Sequence, residues 1–213
     1  TANSLFSNQL VETGAATYVD VATAAGVDLT AIDSSGACYG DIDNDGDIDL
    51  IVGSVEGTTS LFENNGNGTF KDISESSTIN ALVRNSSGCT VGDINGDGLL
   101  DIAIANSYSD WSNRVPLMTF SAPDRREQNQ LFLNKGNGVF EDVSESAGIA
   151  NFAGITWGIG LVDYDLDGDV DFITGDDQGP KSPAKYDGKD VGLLRIYQND
   201  GTGQFTDLTA ELG

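Results

Sequence analysis

The chain has 213 residues, with 34 acidic and 10 basic side chains and no histidine, for a formal net charge of −24. Such an acidic surface repels phosphate groups, which argues against nucleic acids and anionic membranes as partners. No apolar run reaches the length of about 18 residues that a membrane span needs. The lack of histidine excludes Ser-His-Asp and Cys-His triads and histidine-bound zinc.

Residues 1–27 contain two short predicted strands, at residues 5–8 and 18–21, which form a hairpin. Three further copies of this hairpin follow, each around a turn of the pattern Asn-x-Gly-x-Gly-x-Phe, at residues 61–70, 131–140 and 196–205. Behind the four hairpins an Asp recurs with spacings of 52, 70 and 65 residues, at Asp20, Asp72, Asp142 and Asp207. The chain is therefore predicted to be built from repeats.

An acidic nine-residue loop precedes each of the last three hairpins, at residues 41–49, 93–101 and 163–171. Carboxylates this close repel one another and converge only around a hard cation, and Ca²⁺ takes six to eight oxygen ligands. In each loop, positions 1, 3, 5 and 9 supply side-chain oxygens, Gly at position 6 permits the turn, and position 7 supplies a backbone carbonyl. We predict three Ca²⁺ sites, with the ligands Asp41, Asp43, Asp45, Asp47 and Asp49; Asp93, Asn95, Asp97, Leu99 and Asp101; and Asp163, Asp165, Asp167, Asp169 and Asp171.

Apolar runs typical of buried strands flank these loops. An EF-hand would need Glu at position 12 and a helix on either side, but position 12 is Val52, Ile104 or Thr174. Each loop therefore joins two strands, and each unit holds four short strands. The alternative is that the Asp-Gly segments are solvated hairpin turns without an ion.

The acidic loop Asp-x-Asp-x-Asp-Gly-x-x-Asp together with the glycine hairpin resembles the FG-GAP or VCBS repeats of integrin-α-type propellers. This resemblance implies an all-β fold, a calcium-binding β-propeller with blades of four antiparallel strands and an ion between the first two strands of a blade. Asn95 and Leu99 depart from the most acidic pattern, which predicts that the second site is the weakest.

The repeats divide the chain into about three and a half blades. Residues 1–27 give the outer hairpin of an incomplete first blade, and full blades are expected at residues 28–79, 80–149 and 150–213. A propeller needs four to eight blades to close. We therefore expect either a segment of a longer polypeptide or an assembly that another chain completes.

Two insertions, at residues 106–129 and 176–190, interrupt the blades between their second and third strands. Strand alternation places them opposite the acidic loops, where the resemblance implies a ligand-bearing face. Aromatic and cationic side chains suit sugars or acidic proteins. The candidate ligand residues are Trp111, Arg114, Arg125, Arg126 and Tyr186. The alternative is that these loops are insertions tolerated without a function.

Two kinds of covalent link are candidates. Cys38 and Cys89 lie three and four residues before their acidic loops, hence on opposite faces of equivalent strands. Stacked sheets would bring those faces together, so the pair forms either a disulfide between adjacent units or two buried thiols. Asn67 and Asn85 head glycosylation sequons, and Asn85, in a connection between blades, is the preferred acceptor in a eukaryotic protein.

These features favour a non-catalytic, extracellular or cell-surface module that is stabilised by calcium and binds a glycan or an extracellular protein, as in adhesion. The alternative is a structural subunit of a filament or coat that self-associates through open blade edges. A polysaccharide-degrading enzyme is the weakest hypothesis, because nearly all clustered carboxylates are assigned to Ca²⁺ and no isolated acid pair stands out.

Overall fold

The computed structural model of the chain describes residues 2–107, 128–149, 155–177 and 194–212. These residues form an all-β fold in which every pair of neighbouring strands is antiparallel. The predicted fold class is confirmed. Within the described ranges, every helix is far too short to cross a membrane.

The N-terminal unit is a two-stranded hairpin of β1 (Phe6–Asn8) and β2 (Tyr18–Asp20). A single turn of helix, α1 (Leu10–Thr13), lies between the strands, and α2 (Ala22–Ala25) follows them. Gly26 ends α2 at a φ of 82°, a left-handed conformation that glycine adopts without a steric penalty. The hairpin is the outer half of a blade.

Three sheets of four strands follow, and in each the strands are ordered as they occur in the sequence. Helical turns α3 (Ser74–Ser77) and α4 (Thr209–Leu212) follow the fourth strands of the first and third sheets. With the N-terminal hairpin, the sheets give about three and a half propeller blades. The strands are β3 (Asp33–Gly40), β4 (Asp49–Val55), β5 (Ser60–Asn64) and β6 (Phe70–Asp72); β7 (Ser86–Gly92), β8 (Asp101–Asn106), β9 (Gln130–Asn134) and β10 (Phe140–Asp142); and β11 (Ile155–Val162), β12 (Asp171–Asp177), β13 (Leu194–Asn199) and β14 (Phe205–Asp207).

Neighbouring blades pack face to face because successive side chains along a strand point to opposite faces of the sheet. Ile51 and Leu61 are fully buried in a cluster shared with Phe132 of the second four-stranded blade. Their neighbours Val52 and Phe62 point the other way, into a cluster with Ala22 and Ala25 of α2. One blade therefore fills two cores, one on each face.

The interface between the second and third four-stranded blades is more aromatic. Phe172 is fully buried there, with its ring centroid 5.8 Å from that of Tyr197 and 6.0 Å from that of Phe205, both edge-on. Ala103 and Leu131 of the second blade complete this cluster. Burial of one such aromatic side chain stabilises the fold by about 1.5–3 kcal/mol.

Among the first strands, β3 lies against β7 and β7 lies against β11, and these strands form the inner edge of the blades. Glycine permits this approach. A Cβ added at Gly40 would lie 2.8 Å from Cγ2 of Val91, and one added at Gly92 would lie 2.7 Å from Cδ1 of Leu161. Each first strand also carries a register shift next to a glycine, as between Ser34 and Gly36.

A disulfide between Cys38 of β3 and Cys89 of β7 joins the first two four-stranded blades. The structure therefore selects the disulfide over the two buried thiols that the sequence left as the alternative. The bridge closes a segment with a sequence separation of 51 residues across a blade interface.

Replacing both cysteines, Cys38→Ala with Cys89→Ala, should lower the free energy of unfolding by about 2–4 kcal/mol, because the unfolded chain regains the entropy that the bridge removes. Urea unfolding measures this change. Reducing agent should bring the native chain close to the midpoint of the variant and leave the variant where it is. Equal midpoints for the native chain and the variant under oxidising conditions would contradict the prediction.

Candidate metal sites

The three acidic loops connect the first and second strands of their blades, β3 to β4, β7 to β8 and β11 to β12. Each loop turns sharply because its fourth and sixth residues have positive φ. The glycine at the sixth position was expected from the sequence, whereas the left-handed fourth position was not. The φ values are 60° and 96° at Asn44 and Gly46, 73° and 85° at Gly96 and Gly98, and 63° and 100° at Leu166 and Gly168.

The first Asp of each loop is held by the turn that it begins. In the first loop, Oδ1 of Asp41 accepts the N–H of Asp45 and Oδ2 accepts the N–H of Gly46, both at 3.0 Å. The other two loops repeat both bonds, at 2.9–3.1 Å, from Asp93 and Asp163. These bonds fix the carboxylate towards the centre of the loop.

The ninth Asp is the buried residue of each loop, with an exposure of 1% or less at Asp49, Asp101 and Asp171. One oxygen accepts the N–H of the second loop residue, at 2.9–3.0 Å. The other accepts the N–H of the asparagine that opens the glycine hairpin, at 2.8–2.9 Å. The ninth Asp therefore fastens its loop to the third strand of the same blade.

Three carboxylates converge in the first loop and in the third. Oxygens of the first, third and ninth residues lie within 4.8 Å of one another, in the groups Asp41, Asp43 and Asp49, and Asp163, Asp165 and Asp171. Two oxygens bound to one Ca²⁺ at about 2.3–2.6 Å lie at most about 5 Å apart, so the oxygens of each group are close enough to share one ion. The donors are all oxygens, so the residues present fit a hard divalent cation.

The second loop offers fewer carboxylates. Asn95 occupies the third position, and its Nδ2 donates to Oδ2 of Asp97 at 3.0 Å. An amide supplies one neutral oxygen ligand in place of a charged one. The structure thus brings three carboxylates together in two of the three predicted loops.

The surroundings disfavour the ionised form of these acids. Burial raises the pKa of Asp101 to about 6, although the N–H groups of Asn134 and Ile94 oppose the shift. Burial also raises the pKa of Asp49 and, together with the charges of nearby acids, that of Asp43. Without a cation, the negative charge of the loops therefore destabilises the folded chain. A divalent ion would offset this repulsion and the loss of hydration.

The seventh residue turns its side chain to the hairpin. A Cβ added at Gly66 would lie 2.5 Å from Oδ2 of Asp47, and one added at Gly201 would lie 2.5 Å from Oδ2 of Asp169. In the second blade Leu99 takes this place, next to Gly136. This packing explains how the seventh position accepts either an acid or a leucine, and it suits a backbone carbonyl ligand.

Sequence analysis missed the role of the asparagine that opens each hairpin. Its Nδ2 donates to the carbonyl of the eighth loop residue, at 2.9 Å from Asn64, 3.1 Å from Asn134 and 2.9 Å from Asn199. Its Oδ1 accepts the N–H of the hairpin glycine two residues later. The signal was present, since this asparagine recurs in every copy of the motif, but it was interpreted only as a turn residue.

The remaining predicted residues are distributed as follows. The candidate ligand residues Trp111, Arg114, Arg125, Arg126 and Tyr186 lie outside the described residues. Asn85 is 2% exposed and its Oδ1 accepts the N–H of Glu56 at 2.6 Å, whereas Asn67 is exposed in its hairpin. Asn85 was the preferred acceptor, but Asn67 is the more exposed of the two in the folded chain, and glycosylation of either residue stays a prediction.

Four-stranded antiparallel blades with an acidic loop between their first two strands define the class of this protein, a repeat protein built from propeller-type blades. The sequence matches the family described as FG-GAP-like repeat over residues 41–104 and 119–174, which is more than half of the chain. The chain belongs to the FG-GAP-like repeat family.

Individual relatives match only in part. Cartilage acidic protein 1 of Mus musculus is 37% identical over 70 residues, 30% of this chain and 11% of the relative. The same-named protein of Xenopus tropicalis is 34% identical over 77 residues, 36% of this chain and 11% of the relative. The matched region spans about a tenth of these relatives. A solved Agrocybe aegerita lectin that recognises non-reducing terminal N-acetylglucosamine aligns with 79% of this chain and 36% of its own, at 19% identity and a TM-score of 0.41.

In calcium-free buffer, the free energy of unfolding should fall as the pH rises from about 4 to about 6. The pKa of Asp101 is about 6 in the folded chain and 3.8 ordinarily, so the folded state binds more protons in this window. The stabilisation by protonation is complete below the ordinary pKa and is lost as the pH passes about 6.

Urea unfolding at pH 4, 5, 6 and 7 measures this profile. Asp101→Asn should make the slope shallower, and Glu12→Gln, a matched change at an exposed residue of α1, should leave the slope unchanged. If the free energy of unfolding in calcium-free buffer instead rose between pH 4 and pH 6, the raised pKa of Asp101 would be contradicted.

Proposed function

We propose that this chain is a non-catalytic, extracellular binding module whose blades are stabilised by three Ca²⁺ ions. The observation that carries the proposal is the convergence of three carboxylates within 4.8 Å in the first and third loops. The ions would be held by the first, third, fifth and ninth side chains and the seventh carbonyl of each loop. When bound, Ca²⁺ supplies the positive charge that lets these carboxylates stay ionised side by side.

The loops favour Ca²⁺ over Mg²⁺. Mg²⁺ demands near-ideal octahedral geometry and keeps several waters, whereas Ca²⁺ accepts six to eight oxygens in flexible arrangements. Each loop provides a mixture of buried and exposed oxygens, from the fully buried Asp171 to the exposed Asp165. A partly exposed site of this kind suits the millimolar Ca²⁺ of extracellular fluid, on the order of 10⁻³ M.

Two observations support an extracellular location. The disulfide between Cys38 and Cys89 belongs to oxidising compartments, since such bridges are rare in the cytosol. The partial relatives are named for cartilage. The net charge of −24 suits a surface that is solvated and repels nucleic acids.

We place the partner, a glycan or an extracellular protein, on the blade ends opposite the acidic loops. The chain leaves β8 at Asn106 and β12 at Asp177 at those ends, where the two long insertions begin. The base of the second insertion is well anchored, because Nε of Arg195 donates to Oδ2 of Asp176 at 2.8 Å and Oγ1 of Thr156 donates to Oδ1 at 2.8 Å. Ends of rigid strands are a common place for binding residues.

One observation favours a second candidate function, that of a subunit in a larger assembly. The N-terminal hairpin exposes large apolar side chains on β1, α1 and β2, with exposures of 61% at Phe6, 93% at Val11 and 64% at Tyr18. Further blades of a longer polypeptide, or another copy of the chain, would cover such a surface. Catalysis forms no part of either proposal.

Calcium removal should destabilise the fold, because each empty loop leaves its carboxylates facing one another. We expect EDTA to lower the melting temperature by about 2–8 °C, the shift that a loss of about 1–2 kcal/mol produces in a chain of this size. Asp43→Ala and Asp165→Ala should each remove one bound ion in isothermal titration calorimetry. Glu12→Ala, the same change of charge on α1, should retain the full stoichiometry. An unchanged melt together with no calcium in elemental analysis would overturn the proposal.

Partner binding should depend on the insertions. Trp111→Ala with Arg125→Ala should weaken binding on a glycan or matrix-protein array by at least about tenfold, as expected when an aromatic and an arginine anchor are lost. Lys71→Ala, at an exposed cation of β6, is the matched control and should bind normally. Unchanged binding by the double variant would exclude these anchors, and light scattering that shows concentration-dependent growth of the native chain would favour the assembly function instead.

A further inference from the structure

A continuous series of hydrogen bonds passes from the first acidic loop to the second. It begins at Asp49, whose Oδ2 accepts the N–H of Ile42 at 2.9 Å. The carbonyl of Ile42 accepts a hydrogen bond from Nδ2 of Asn134 at 2.7 Å. The backbone N–H of Asn134 then donates to Oδ1 of Asp101 at 2.8 Å. Because Asn134 belongs to the next blade, the series crosses the blade interface.

The same contacts recur one blade further on. The ninth residue of the second loop accepts the N–H of Ile94 at 2.9 Å, and the carbonyl of Ile94 accepts Nδ2 of Asn199 at 2.8 Å. The N–H of Asn199 donates to Oδ1 of Asp171 at 2.9 Å. Asn199 is 3% exposed, so water does not compete for these bonds. All three loops therefore belong to one hydrogen-bonded series.

We propose that Asn134 and Asn199 are positioning residues that couple ion binding in neighbouring loops, so that an ion in one loop raises the affinity of the next. The inference rests on the calcium sites proposed above. An ion that fixes the ninth carboxylate also fixes the N–H groups bonded to it, and with them the carbonyl that the asparagine contacts. Buried hydrogen bonds in such a series strengthen one another.

The asparagine transmits this ordering because it contacts both loops at once. Nδ2 of Asn134 donates to the carbonyl of Ile42 in the preceding loop and to the carbonyl of Leu100 in its own. Nδ2 of Asn199 makes the same pair of bonds, to the carbonyls of Ile94 and Val170. Coupling between two binding events is reciprocal, so each loop is expected to assist the other equally.

Asn64 provides an internal control. It occupies the same hairpin position in the first four-stranded blade and donates to the carbonyl of Ile48 in its own loop at 2.9 Å. Residues 1–40 contain no acidic nine-residue loop, so Asn64 has no preceding loop to connect with the loop at residues 41–49. Asn64→Ala therefore disturbs a hairpin and its loop without removing a link between two loops.

Luminescence of bound Tb³⁺ tests the coupling at the third loop. Tyr164 is the second residue of that loop, and we expect its ring to sensitise a Tb³⁺ ion held there. The signal that Tyr164→Phe removes is then the signal from the third loop. Asp93→Ala disables the second loop. In the native background this change should weaken Tb³⁺ binding at the third loop by about fivefold, the effect of one net hydrogen bond.

In the Asn199→Ala background, Asp93→Ala should leave the affinity of the third loop unchanged, whereas in the Asn64→Ala background the fivefold loss should remain. A fivefold loss that persists with Asn199→Ala would overturn the coupling while leaving the ion sites intact. The absence of any ion binding in calorimetry would overturn the proposed function itself. Should Asn199→Ala not fold, Asn199→Ser, which replaces the carboxamide by a small hydroxyl group, enters the same comparison.

Discussion

The buried carboxylate of the ninth loop residue is the interaction on which each blade depends. It joins the loop to the hairpin through two backbone N–H groups, as Asp101 does with Ile94 and Asn134. A charged group with no water around it requires compensation, and two hydrogen bonds supply only part of it. The acidic residues around it make the requirement greater. The loop, the strand that leaves it and the hairpin opposite are therefore organised around one unit of buried negative charge.

Much of this architecture was predictable from the sequence because each blade is specified by short motifs that recur along the chain. The Asn-x-Gly-x-Gly-x-Phe motif and the acidic loop recur in register, and the apolar residues that follow each loop alternate, as Ile51 and Val52 do between two cores. Strand number and order within a blade follow from such patterns, since each strand pairs with its neighbour in the chain. The family match covers the three acidic loops and the first two of the hairpins that follow them.

Contacts between blades could not be predicted in the same way. The bond from Asn199 to the carbonyl of Ile94 joins residues 105 positions apart, and its existence depends on how far one sheet is turned against the next. For the same reason, the sequence could not decide whether Cys38 and Cys89 form a disulfide or remain two buried thiols. Asn85 is buried, and its Oδ1 accepts the backbone N–H of Glu56, which follows β4 in the preceding blade. Its sequon gives no sign of this contact. Sequence periodicity describes a blade, whereas the stacking of blades depends on side-chain shape.

The single disulfide makes the blade interfaces mechanically unequal. β3 and β7 are joined by a covalent bond, while the described contacts between β7 and β11 are non-covalent. A pulling force along the chain would therefore part the aromatic interface around Phe172 before the bridged pair of blades separates. In a protein that tethers one surface to another, interfaces without a covalent bond would separate and extend the molecule while the cross-linked blades keep their shape.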